Sequence, residues 1–148
     1  MLTIKPIFAL LLIALASLFT YFITVSQITS NTSEVLISSE ETWNGNPIPA
    51  YPEGKPKISI LKITIGPGST LPKHLHPVIN AGVLLTGELT VEDEFGNKLK
   101  MKAGDPIIEV VNTVHFGVNS GDVPAEIIVF YAGSEGMTIT KVLEETNP

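Results

Sequence analysis

Cysteine and arginine are both absent from the 148 residues. Without thiols there is no disulfide framework, no thiolate ligand or nucleophile, and no cysteine to carry a lipid. Without arginine there is no bidentate guanidinium clamp for carboxylates or phosphates. Basic side chains of any kind are scarce: nine lysines stand against fifteen acidic residues, the formal net charge is −6, and only Lys5 precedes Lys55. Such a surface does not seek nucleic acid, and its acidity serves solubility. An anionic small molecule would have to rely on a metal, Lys73, backbone amides or hydroxyls. No internal repeat is present, and no helical periodicity appears beyond the N-terminal stretch.

That stretch, Ile7 to Val25 (IFALLLIALASLFTYFITV), carries no charge. It is long for a signal-peptide core and close to the ~20 residues that span a bilayer. Residues 1–26 are therefore expected to be either a signal peptide cleaved after Ser26 or an uncleaved transmembrane anchor. Either way the remainder is exported to the periplasmic or extracellular side, and the anchor, if retained, makes the membrane a partner. Residues 27–57 read as an arm, polar at first and then rich in proline and glycine (NGNPIPAYPEGKPK), where the missing N–H donors prevent a regular helix.

Residues 58–148 read as short strands. Ile58 to Ile65 alternates over much of its length, Ala81 to Leu85 and Glu88 to Glu92 flank Gly87, and Phe95-Gly96-Asn97 has hairpin-turn composition. Ile107 to Val111, Ala125 to Tyr131 and Met137 to Val142 continue the series. Turns at this spacing predict an all-β sandwich or closed barrel. Val83, Leu85, Phe116, Ile128 and Phe130 are expected as core or pocket wall. Trp43 and Tyr51 are expected to cover a sheet edge or a subunit contact, and open edges predict a homodimer.

Three histidines are all the chain has. His74 and His76 are two apart, so on a strand their imidazoles share a face. His115, from a distant strand, would complete a facial set of three nitrogens that leaves positions open for water or a small-molecule ligand. Asn80, four residues beyond His76, would share that face in an unbroken strand and is the expected weak fourth ligand. The expected ion is divalent iron, manganese, zinc, nickel or copper.

The spacing around these histidines resembles the cupin superfamily. Gly68, five residues, His74-Leu75-His76, three residues, Asn80, six residues and Gly87 are similar to the first cupin motif; Gly104, ten residues, His115, three residues and Asn119 are similar to the second. The resemblance implies a jelly-roll β-barrel with a metal centre. Three departures stand out. Asn80 occupies the position of the family's usual glutamate ligand, Val110 that of a proline, and Asn112 that of a glycine, whose left-handed conformation asparagine tolerates. Glu109, just before the second-motif turn, is expected either as a catalytic base, as a fourth ligand replacing the missing glutamate, or as a strand-end charge in solvent. Thr113 and Asn119 are expected to hydrogen-bond behind His115, with turn capping the alternative for Asn119. Two functions follow: a metal-dependent enzyme, a three-histidine dioxygenase or an isomerase by resemblance, or a non-catalytic module that binds or senses a small molecule or metal.

Overall fold

The computed structural model describes residues 13–21 and 31–144. Residues 13–21 are helical; the rest of the uncharged stretch and the cleavage point after Ser26 lie outside the described residues. Among the described residues, no helix is long and apolar enough to cross a membrane. A separate compact unit begins at Leu36.

That unit is all-β, as expected. Its strands are β1 (Pro56–Ile65), β2 (His74–Leu75), β3 (Ile79–Thr86), β4 (Glu88–Asp93), β5 (Lys98–Lys102), β6 (Pro106–Ile108), β7 (His115–Val118), β8 (Ala125–Ser134) and β9 (Lys141–Val142). They form two antiparallel sheets, β1-β8-β3-β6 and β5-β4-β7-β2-β9, closed over one core in a jelly-roll barrel. Leu84, Ile127, Val129 and Tyr131 of the first sheet meet Leu89, Val91 and Met101 of the second there. Each such buried side chain is worth about 1.5–3 kcal/mol of transfer free energy.

Alternation settles which residues face inward. On β8 the inner set is Ala125, Ile127, Val129 and Tyr131, so Ile128 (38% exposed) and Phe130 (43%) point out. On β3 the inner set is Asn80, Gly82 and Leu84, and Leu85 is exposed. The expectation that Val83, Leu85, Ile128 and Phe130 are core or pocket wall is thus reversed. Both segments are apolar at almost every position, so the pattern has no phase, and a slip of one residue exchanges the faces.

Two second-motif strands also differ from expectation. β6 stops at Ile108, and β7 forms from His115, where the glycine at 117 had masked a strand. Met137 to Val142 is strand only at its end, because Glu135 and Gly136 turn the chain and Met137 N–H donates to Ser134 O at 3.1 Å. Gly87 has φ 73°, and a Cβ there would lie 2.7 Å from Pro124 O, so conformation and space both require glycine at this motif position. Trp43 does cover an edge: its backbone N–H donates to Ile108 O at 2.9 Å, and its ring packs on the core. Tyr51 is 78% exposed.

Candidate metal centre

Strand pairing brings the first two imidazoles together. His74 of β2 lies opposite His115 of β7, and such directly opposed side chains share a face. His76 follows two residues after His74 and faces the same way. The ring centroids are 4.5–5.0 Å apart, and one ligand nitrogen from each ring lies within 4.8 Å of the others. His76 and His115 are buried; His74 is half-buried.

Each ring is oriented from behind by a main-chain carbonyl. Nδ1 of His74 is 2.7 Å from Pro72 O, Nδ1 of His76 is 2.9 Å from Ile139 O, and Nδ1 of His115 is 3.0 Å from Thr113 O. A carbonyl oxygen only accepts, so Nδ1 carries a proton in all three, and Nε2 is the nitrogen left to bind a metal in the neutral ring. This is the arrangement that fixes tautomer and ring angle in metal-binding histidines.

Glu109 faces the same point. Its carboxylate is buried, with Oε2 3.0 Å from His76 Nε2 and 3.7 Å from His115 Nε2, and that oxygen has no other partner. The alternative of a strand-end charge in solvent is therefore wrong. Burial pushes its carboxyl pKa up, but the imidazoles of His115 and His76 outweigh this and hold it well below the usual carboxylate range. Burial also lowers His115, but Glu109 reverses the shift and raises it; His74 is lowered, chiefly by burial.

Other expected residues lie elsewhere. The chain bends at Pro77 and Val78, so β2 and β3 belong to different sheets and the unbroken strand assumed for Asn80 does not exist. Asn80 is buried, but its Nδ2 donates to Val78 O at 3.3 Å, its Oδ1 has no partner, and it does not line the cavity beside the histidines. Asn119 caps a turn: its Nδ2 donates to Ile65 O and Val123 O, and its Oδ1 accepts from Gly121 N–H. Thr113 serves His115 through its carbonyl, not its hydroxyl. Lys73 lies 5.9 Å over the Phe116 ring, and neither lines the cavity.

Sequence reasoning missed Tyr131 and Thr140. The Tyr131 ring packs edge-on against His76 at 5.3 Å, and Thr140 Oγ1 is 3.2 Å from His76 Nδ1. Burial, with the Glu109 charge, pushes the Tyr131 hydroxyl up to about 12 although a hydrogen bond with Thr140 partly opposes the shift. Correct phasing of β8 would have placed Tyr131 inward. The cavity has a volume of about 210 Å³ and aliphatic walls from Leu61, Ile63, Leu71, Leu89, Ile127 and Val129; among the described residues no lysine lines it. A site of this size, with three lone pairs and a carboxylate at one end, suits a small molecule with an apolar body and one or two metal-seeking atoms.

The family model for the cupin domain matches residues 61–131. Oxalate oxidase GF-3.8 of Triticum aestivum is 32% identical over 82 residues, covering 50% of this chain and 37% of that protein. Auxin-binding protein ABP19b of Prunus persica is 32% identical over 74 residues, 46% of this chain and 35% of that one. The chain thus spans little more than a third of the curated relatives it matches. Among solved structures, a conserved protein of Klebsiella pneumoniae with a double-stranded β-helix domain superposes with a TM-score of 0.51 at 20% identity, over 78% of this chain and 100% of that one. This last is a likeness of fold.

Proposed function

Since the chain belongs to the cupin superfamily, we propose that it is a metal-dependent enzyme acting on a small, largely apolar organic molecule, with His74, His76 and His115 as ligands of a divalent transition-metal ion. The observation that carries this reading is the convergence of three Nε2 lone pairs whose Nδ1 atoms are all tied to carbonyls. Imidazole donors in that number suit iron, manganese, zinc, nickel or copper. When bound, the ion supplies Lewis-acid or redox chemistry. The chain's own residues do the rest: the aliphatic walls exclude water and hold the apolar body, and Tyr131 stays protonated through the physiological range.

An oxalate-directed activity is the weaker reading, because a dianion would meet an acidic carboxylate and no lysine or arginine in the cavity. The alternative is a binding or sensing module, and one observation favours it: the auxin-binding relative matches as well as the oxidase. Export rests on the uncharged Ile7–Val25 stretch. A homodimer finds support in the exposed Ile58, Ile60, Ile128 and Phe130 on the outer face of the first sheet.

Elemental analysis of protein purified without added metal, followed by oxygen uptake with diketones, thiols and phenols, tests the proposal. Wild type should carry close to one ion per chain and His115→Ala almost none. Equal metal content in the two would remove the three-histidine site; a metal-loaded protein that turns over no compound but binds one leaves the binding module.

A further inference from the structure

Building on the three-histidine reading, we infer that Glu109, just past the end of β6, supplies the carboxylate ligand that the first motif lacks at Asn80. Three observations carry this. The β3–β6 ladder pairs Ala81 with Ile108, and Glu109 N–H donates to Asn80 O at 3.1 Å, so pairing extends one residue further and sets Asn80 opposite Glu109. Opposed residues of an antiparallel pair share a face with Cβ atoms about 4.5–5.5 Å apart. A carboxylate moved from position 80 to position 109 therefore still enters the barrel at nearly the same place.

Next, the Glu109 carboxylate lies 3.0 Å and 3.7 Å from two Nε2 atoms, and its Oε2 has no other partner. The carboxylate and the Nε2 atoms thus converge on one point inside the barrel. A cation at that point would be coordinated by both. Last, Asn80 has turned away: its amide donates to the Val78 carbonyl in the bend before β3. The centre then has three neutral donors and one anionic donor, and a divalent ion keeps one positive charge instead of two. That charge favours a monoanionic or neutral substrate, in keeping with the aliphatic walls.

The experiment measures Co²⁺ and Zn²⁺ affinity of the full chain by chelator competition, with the visible spectrum of the Co²⁺ form as a second readout. Glu109→Gln should weaken binding by about tenfold or more, the loss typical even for groups behind a ligand, and should shift the Co²⁺ spectrum. Adding Asn80→Glu to Glu109→Gln should recover most of the affinity, because it returns the carboxylate from the opposite side of the same residue pair. Wild-type affinity and spectrum in Glu109→Gln, with binding lost in His76→Ala, would overturn the inference and leave the three-histidine centre standing. Failure of wild type itself to bind either ion would overturn both. Unchanged affinity together with a lower melting temperature of metal-free Glu109→Gln would identify a Glu109–His115 ion pair instead.

Discussion

Asn112 and Asp93 hold the surroundings of the histidine cluster in ways that can be measured apart from any metal. Asn112 has φ 55°, the one positive value outside glycine among the described residues, and its N–H donates to His76 O at 2.9 Å. The turn that replaces the family's proline and glycine thus braces one histidine and leads into another. A β-branched residue is strained in that conformation by about 1–2 kcal/mol. Chemical denaturation should find Asn112→Val destabilised by that amount and Asn112→Gly close to wild type. Asp93 is buried and accepts from Asn44 Nδ2, Asn97 Nδ2 and the N–H groups of Phe95 and Asn97. Burial pushes its pKa up, but the side chains of Asn97 and Asn44 and those two amides outweigh it, so the net direction is down. A depressed carboxyl stabilises the fold above its unfolded pKa and loses that contribution as pH falls through the folded value. Wild type should therefore lose stability below about pH 4, and Asp93→Asn should flatten that part of the profile. Persistence of the full acid slope in the variant would assign it to other carboxylates.

Strands carry the difference between what the sequence made legible and what it hid. Spacing put His74 and His76 on one face, because a two-residue step on a strand fixes the face whatever lies beyond it, and the second-motif resemblance brought in His115. Asn80 was misplaced because the bend at Pro77 and Val78 transfers the chain between sheets, and a count of residues does not register that transfer. The inner set of β8 was hidden because Ile127, Ile128, Val129, Phe130 and Tyr131 are equally apolar. In β4, by contrast, Leu89 and Val91 alternate with polar residues, and the sequence shows the phase directly. The phase of β8 predicts opposite outcomes at adjacent positions. Val129→Asp puts a charge into the core and should abolish cooperative thermal unfolding, whereas Phe130→Asp should melt within a few degrees of wild type. A reversed pair of results would mean that β8 is inverted.

For the whole molecule, the outer face of the first sheet matters most. Ile60 pairs with Phe130 across β1 and β8, and Ile128 lies opposite Val83 across β8 and β3. Leu36 and Ile37 border the same apolar surface. The β6 edge, by contrast, is already taken by Trp43. A homodimer is thus expected through the sheet face, not that edge. Sedimentation should show a dimer for wild type and a monomer for Phe130→Asp; a monomeric wild type at high concentration removes the prediction.

β9 is only two residues long and exposed, yet it flanks β2, while Thr140 and Val142 form part of the cavity wall. The carbonyl that sets the His76 tautomer, Ile139 O, immediately precedes Thr140. Short terminal strands with few buried groups are where local opening costs least. Local opening of β9 would therefore remove part of the cavity wall and loosen His76 in a single event, and the lifetime of an ion held there would follow the opening of one small strand. Metal dissociation and amide exchange at Val142 and Leu143 should consequently share one temperature dependence, and the ion should leave faster than the stability of the barrel alone would permit.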